Sequence, residues 1–281
     1  MSSPLVSVVL PTYNRAHLVG KAIESVLVQT MRDLELIIVD DASTDETLTV
    51  LSEWKAQDPR ISIVRHEKNS GISKALNSGF RAAQGAYCAV IDDDDRWLVP
   101  NKLERQTDFL SRNPEYAGTG GGVVVINRNG KELFRYLKPE TDEAIKRSMF
   151  FSNPIANATA VFRRSAGERA GFWDETISHG ADREFWMHLG TFGKLYNFQD
   201  YFASYTIAGQ NNLFRHQRVM YRCILDFFPR YKHIYPRFWA GMLLHYGIYA
   251  YSLLPDRVRA LLSMPLFYLK KKVFDSARKV Y

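Results

Sequence analysis

The chain is poor in cysteine: Cys88 and Cys223 are its only two, far apart and in apolar or amphipathic surroundings. Neither a disulfide framework nor a four-ligand zinc site can be built from such a pair, and a reducing, cytosolic setting is expected. No apolar run reaches the roughly 20 residues that span a bilayer. The stretch 238–254 comes nearest, and His245 interrupts it. Met1-Ser2-Ser3-Pro4 leads straight into strand-like sequence without a basic segment and a long apolar core, so no secretory signal is expected. Internal repeats and low-complexity segments are also missing. In the expected compartment the sequon Asn157-Ala158-Thr159 is a chance match.

What is present is globular in composition. Of 281 residues, 46% are hydrophobic and 24% charged, enough for one large domain or a domain with an appendage. Net charge is +7 and unevenly carried: residues 213–281 hold 13 Lys or Arg against 3 Asp or Glu, which leaves the rest of the chain at −3. A basic tail attracts nucleic acid, anionic lipid or an acidic partner, and charge alone does not choose among them.

The first hundred residues alternate strand-like and helix-like patterns. Strands are expected at 5–10, 34–39, 61–64 and 86–91. Between them lie a helix with Leu18, Ala22, Ile23, Val26 and Leu27 on one face, a second opened by a capping box at Ser43-Thr44-Asp45-Glu46, and a third over 72–83. Short connections between alternating elements predict an α/β fold with an open, mostly parallel sheet flanked by helices. Ligands of such sheets bind beyond the carboxyl ends of the strands. Those ends here read Pro11-Thr12-Tyr13-Asn14-Arg15, Asp40-Asp41 and Asp92-Asp93-Asp94-Asp95.

After Gly118 the pattern changes. Gly120-Gly121-Gly122 precedes a predicted hairpin, 123–126 with 131–136, turning at Asn129-Gly130. A further strand is expected at 158–163, and His179 to Trp186 leads into a helix with Trp186, Leu189 and Phe192 facing inward. From about residue 211 the pattern is helical, aromatic and basic. Residues 264–280 mix Leu266, Phe267, Leu269, Val273 and Phe274 with five Lys or Arg, which fits an interfacial helix or one packed on the protein's own core.

Four aspartates in a row after an apolar strand pose an electrostatic problem. Like charges this close raise one another's pKa unless a cation is shared among them. A solvated acidic turn is the plain reading, and a divalent metal site the sharper one.

Taken together, Val6-Ser7-Val8-Val9-Leu10-Pro11-Thr12-Tyr13-Asn14-Arg15, Val39-Asp40-Asp41-Ala42-Ser43-Thr44-Asp45, Asn69-Ser70-Gly71 and Ile91-Asp92-Asp93-Asp94-Asp95 with Trp97 and Pro100 resemble the family 2 glycosyltransferases. Gly171-Phe172-Trp173-Asp174-Glu175 and the 182–186 segment extend the match loosely to about residue 190. The resemblance implies a GT-A fold over 1–210, with 1–117 for the nucleotide sugar and 118–210 for the acceptor, and a basic, aromatic α-helical extension over 211–281. It implies inverting transfer from a sugar nucleotide, UDP-linked, to an acceptor hydroxyl on a glycan or lipid-linked glycan, with Mn2+ or Mg2+ as cofactor.

Residue by residue, the resemblance places Asp41 on the nucleobase with Pro11 and Thr12 in the same loop, Tyr13 against the base and Arg15 near the diphosphate. Asp92, Asp93 and Asp94 correspond to the family's Asp-x-Asp element, with Asp94 and Asp95 on the metal; four in a row leave the register open. Lys74 is a phosphate contact or a solvent-facing lysine. Asp182 matches the general base, with Ala181 where many relatives have Glu, Glu184 in reserve and His179 as a loop or acceptor contact. Asp182 also fits a plain helix N-cap. The rival readings are a polyprenyl-phosphate sugar synthase and a non-catalytic nucleotide-sugar or glycan-binding protein. The basic extension is assigned peripheral contact with an anionic membrane at the cytoplasmic face, and nucleic acid is not expected.

Overall fold

The structure is a computed structural model that describes residues 4–207, 217–255 and 259. Among these residues nine strands form one sheet: β1 (Val6–Thr12), β2 (Leu34–Asp40), β3 (Ile61–Arg65), β4 (Tyr87–Val90), β5 (Arg96–Trp97), β6 (Tyr116–Asn127), β7 (Glu132–Tyr136), β8 (Val161–Arg163) and β9 (Lys194–Ile207). Their order is β3-β2-β1-β4-β8-β6-β9-β5, with β7 added beside β6. The part β3-β2-β1-β4 is parallel. Beyond it the sheet is mixed: β8 runs antiparallel to β4 and β6, while β6 and β9 are parallel. The α/β expectation holds, with its parallel character concentrated in the N-terminal half.

The helices are α1 (Val19–Leu27), α2 (Thr47–Gln57), α3 (Ile72–Ala82), α4 (Lys102–Arg112), α5 (Asp142–Ser148), α6 (Arg164–Ala170), α7 (Ala181–Leu189), α8 (Gln217–Phe227) and α9 (Phe238–Leu253). Alternating side chains of the central strands feed two cores, as the period of two requires. Val8, Leu10, Leu36 and Ile38 meet α1 and α4 on one face. Val9, Ile37, Val39 and Val90 meet α3 on the other, in a core that continues through α7, α8 and α9. Gly79 lets α3 lie on the sheet: a Cβ there would come within 2.4 Å of a Val9 methyl.

Three local expectations are corrected or extended. The Ser43–Glu46 capping box does not form, because Ser43 Oγ is taken by the Asn14 N–H at 2.9 Å and the helix begins at Thr47. The Asn129-Gly130 hairpin is present, with Gly130 at φ +76° and β6 beginning seven residues earlier than expected, at Tyr116. The 14-residue β9, which ties β5 to β6, had no counterpart in the sequence reading. The segment 264–280 lies outside the described residues. In the sequon, Thr159 is fully buried and its hydroxyl donates to the Ala156 carbonyl at 2.7 Å, so the tripeptide is not displayed.

Replacing Gly79 by valine should force α3 off the sheet. Overpacking of this kind costs about 1–3 kcal/mol, to be read as a lowered urea midpoint with an unchanged slope; an unchanged midpoint would show that the α3–β1 approach is not tight.

Candidate functional site

The loops after β1 and β2 are fastened to each other. Asp41 N–H donates to the Thr12 carbonyl at 2.9 Å, and Arg15 N–H to Thr47 Oγ1 at 2.9 Å. Asn14, at φ +53°, turns its Oδ1 to accept from Thr44 N–H at 2.8 Å. Asparagine tolerates this left-handed conformation better than most residues. Tyr13 is left exposed at the rim, 42% accessible.

Asp41 is buried and held on both oxygens. Its Oδ1 meets His66 Nδ1 at 2.7 Å and Ser70 N–H at 2.9 Å, while Oδ2 accepts from Gly71 N–H at 2.8 Å. A carboxylate oxygen accepts two bonds, so one place on Oδ2 stays open to a ligand donor. Asp40 caps its own loop, accepting from Ser43 N–H at 3.0 Å and pairing with Arg65 at 3.4 Å. His66, absent from the sequence reading, also reaches Ser78 Oγ at 2.9 Å and so fixes the ring that holds Asp41.

The aspartate run turns under the end of β4. Asp93 accepts from Thr12 Oγ1 at 2.8 Å and has Arg15 Nε 3.8 Å away. Asp95 is buried, and neither of its carboxylate oxygens has a hydrogen-bond partner; Asp92 Oδ1 is also unpartnered. Burial first, and repulsion within the run second, pushes Asp92 up to about 7 and Asp95 well above the carboxylate range. Burial pushes Asp93 up to about 6 and raises Asp94, each against the pull of Arg15. With Asp95 buried and the other three half-buried, the run is not a freely solvated turn.

Asp182, in the first turn of α7, faces this cluster closely enough that its charge adds to the rise of Asp92. Its Oδ2 accepts from Asn153 Nδ2 at 2.6 Å. Burial raises Asp182, while its hydrogen bonds and the charges of Arg183 and Lys138 act the other way. Lys138 donates to the Asn153 carbonyl at 2.8 Å, and burial lowers it to about 8. Tyr136 from the end of β7 and Tyr205 from β9 lie near the same carboxylates, both raised first by burial and then by the aspartates. Thr206 Oγ1 donates to the Asp94 carbonyl at 3.0 Å, so β9 closes the site.

Pro11, Thr12, Arg15, Asp92–Asp95 and Asp182 are thus brought together, with Tyr13 and Asp41 on the flank nearest β2. Lys74 is exposed on the first turn of α3, and the cations that act on the carboxylates are Arg15, Lys138 and Arg183. Glu184 points elsewhere, as two helical positions from Asp182 require. It is buried against the Tyr231 hydroxyl, with Arg230 3.5 Å away. His179 lies in the loop before α7, its ring on Ser178 Oγ at 3.1 Å.

Sequence reasoning missed Tyr136, Lys138, Asn153, Tyr205 and Thr206. The end of the predicted hairpin pointed to Tyr136; the others carried no local signal. Among the described residues no three His, Cys, Asp or Glu form a ready metal cage. The unpartnered Asp92 and Asp95 oxygens are nonetheless the donor type a hard divalent cation takes.

An uncharacterized glycosyltransferase of Haemophilus influenzae is 28% identical over 228 residues, covering 76% of this chain and 70% of that protein. Among solved structures, the mannosyltransferase PcManGT from Pyrobaculum calidifontis, in complex with GDP-Man and Mn2+, superposes with a TM-score of 0.66 at 18% identity, over 98% of this chain and 83% of that one. S. aureus TarS 1–349 in complex with UDP gives 0.59 at 19% identity, over 96% and 88%. At such identities these two likenesses show the fold. The family model for glycosyl transferase family 2 matches residues 7–171, from inside β1 through the aspartate run to the end of α6. With more than half its length under that model, the chain belongs to glycosyl transferase family 2.

Proposed function

We propose that the protein moves a sugar from a nucleoside diphosphate, UDP in the first instance, to a hydroxyl of a glycan or lipid-linked glycan, with inversion at the anomeric carbon. The observation that carries this reading is Asp182, a half-buried carboxylate held by Asn153 and close enough to the aspartate run for its charge to act on Asp92. Donor chemistry is assigned to residues 1–117, acceptor contacts to 118–210 and a helical extension to 211–281. The UDP complex of TarS and the GDP-Man and Mn2+ complex of PcManGT support a nucleotide-sugar donor on this fold.

On the donor side, the open acceptor place on Asp41 Oδ2 takes an N–H of the base, and exposed Tyr13 lies against its ring. Pro11 and Thr12 shape the floor beneath it, and Thr12 holds Asp93 toward the ribose together with Asp92. Arg15 approaches the diphosphate, with Lys74 outside it. Asp94 and Asp95 would hold Mn2+ or Mg2+, an ion that takes one or two carboxylates and fills its shell with phosphate oxygens and water. Bound there, it supplies charge neutralisation on the departing diphosphate.

Asp182 removes the proton from the acceptor hydroxyl as that oxygen attacks the anomeric carbon from the side opposite the diphosphate. Asn153 fixes Oδ2 and leaves Oδ1 for the hydroxyl. Tyr136 and Tyr205 wall the pocket and keep water from competing for the sugar.

Asp182→Asn should lower kcat by about 10²–10⁴, the usual yield of a positioned base, while UDP affinity measured by calorimetry stays nearly constant. Turnover at the parent rate would favour attack by a lipid phosphate, which needs no strong base.

A base works only when deprotonated, so activity should fall as pH drops through the raised pKa of Asp182, on a limb above the ordinary carboxylate range. Asn153→Ala removes a bond that favours the charged form and should move that limb further up. A limb that stays in place would detach Asn153 from the base.

Asp95→Asn removes a buried carboxyl whose charged form burial and the neighbouring aspartates disfavour. Without added metal at pH 8 it should raise the melting temperature, while in manganese it should lose the donor-dependent stabilisation of the parent; retention of that gain would displace Asp95 as a ligand.

A further inference from the structure

Helix α9 has two unlike faces. Phe238, Gly241, Met242, His245 and Ser252 are buried against the protein, and Gly241 is pressed so close to Phe150 that a Cβ there would lie 2.2 Å from that residue's own. The other face is open and apolar. Trp239 is 80% and Leu243 76% accessible, and Leu244, Tyr246, Ala250 and Leu253 continue the exposed surface to the end of the helix. No Asp, Glu, Lys or Arg occurs in α9.

The surroundings of this face are basic. Exposed Lys232 and Arg237 stand before its first turn, and Arg218 of α8 reaches its far end through a 2.6 Å bond from Nε to the Ser252 carbonyl. Residues 217–255 contain five Lys or Arg against the single acid Asp226. An apolar stripe with cations at both ends, led by an exposed tryptophan, has the chemistry of a helix lying in a bilayer interface. At 16 residues α9 is too short to cross one, and among the described residues no helix is long and apolar enough to do so.

A second copy of the chain fits this face less well. Trp239, Leu243, Tyr246, Ala250 and Leu253 follow the spacing of a coiled-coil seam, but such seams are flanked by charged residues that set the pairing. Here the flanks are Ala240, Met242, Gly247 and Tyr249, none of them charged. Pairing two such surfaces would also bring like charges together, whereas an anionic surface neutralises them.

We infer that the outer face of α9 docks the protein on an anionic lipid bilayer, with Trp239 and Leu243 entering the headgroup boundary and Lys232, Arg237 and Arg218 meeting lipid phosphates. The inner face of α9 contacts α7 directly, through His245 Nε2 on Arg183 Nη1 at 3.1 Å. The bilayer surface then lies within about two helix diameters, roughly 20 Å, of Asp182. That distance is within reach of a sugar carried on a lipid. The inference deepens the acceptor side of the function proposed above, and its test uses neither donor nor acceptor.

The full chain is mixed with vesicles of phosphatidylcholine alone or with a quarter phosphatidylglycerol, and tryptophan emission and co-sedimentation are followed. Trp97, Trp173 and Trp186 are buried and Trp54 is half-buried, so Trp239 dominates any change in exposure. Anionic vesicles should shift emission to shorter wavelength, and Trp239→Phe should abolish the shift while binding persists. Leu243→Glu with Tyr246→Glu should weaken binding by about tenfold or more, with the thermal melt unchanged. Lys232→Glu with Arg237→Glu should reduce, but not abolish, the preference for anionic lipid, since the basic residues beyond 259 remain.

The basic segment beyond residue 259 can attract vesicles by charge alone, so binding is repeated in 0.5 M salt, where such attraction is screened. The inference is overturned by an emission spectrum that does not move, by a Leu243→Glu, Tyr246→Glu variant that binds like the parent in high salt, or by a parent dimer that this variant converts to monomer without vesicle binding.

Discussion

Crowding four carboxylates at the end of one strand, one buried and three half-buried, is the constraint around which the site is organised. Asp95 is buried and Asp92 half-buried, and Asp92 Oδ1 and both Asp95 carboxylate oxygens lack a well-formed hydrogen bond, the Thr206 backbone giving Asp95 only partial relief. Ordinarily such groups are hydrogen-bonded or paired, because an isolated buried charge costs several kcal/mol. The fold meets part of the demand with Thr12 and Arg15 on Asp93, and with a tight turn in which Asp95 N–H donates to the Asp92 carbonyl at 3.1 Å. What it leaves unmet is the capacity to gain from a cation or from protons, and in the function proposed above a divalent ion accompanying the diphosphate would supply the former.

That demand explains the scaffolding nearby. The β1 and β2 loops are fastened by Asn14, Ser43 and Thr47, so the Thr12 hydroxyl that serves Asp93 is fixed in place. On the opposite side, Asn77 of α3 grips the backbone of Trp173 through both amide atoms, at 2.8 and 3.0 Å. Trp173 stacks on Phe185 of α7 with ring centroids 3.9 Å apart. The helix that carries Asp182 is therefore keyed to the helix that packs on β1 and β2, and the two cannot shift independently without breaking an aromatic core.

Much of this was legible in the order of residues. Apolar runs such as Val6–Leu10 and Leu34–Val39 announce buried parallel strands, and carboxylates at strand ends announce where chemistry collects. The surroundings of Asp182 were less legible because their parts come from distant segments with no shared period. Lys138 and Asn153 lie in irregular chain, and Tyr205 is one residue in a strand whose pairing spans more than a hundred positions to Arg96. The failed capping box has a similar cause: Ser43 fitted the local pattern, but a tertiary donor, the Asn14 N–H, claimed its hydroxyl first.

His245 shows how one polar residue can mislead at one level and inform at another. In the sequence it interrupts an apolar stretch and argues against a membrane span. In the structure it faces inward, where burial and the Arg183 charge lower it to about 4 and leave the ring neutral. A neutral ring accepts from Arg183 through Nε2 while Nδ1 stands 2.9 Å from the Gly241 carbonyl as donor, so the helix can bring its only strongly polar side chain into the core without an unpaired charge. Arg183 in turn donates to the Met149 carbonyl and lies over the Phe228 ring. The guanidinium beside Asp182 thus has one partner on α9 and another at the end of α5. An apolar outer face on α9 is compatible with a folded protein because this inner contact, rather than burial all round, holds the helix in place.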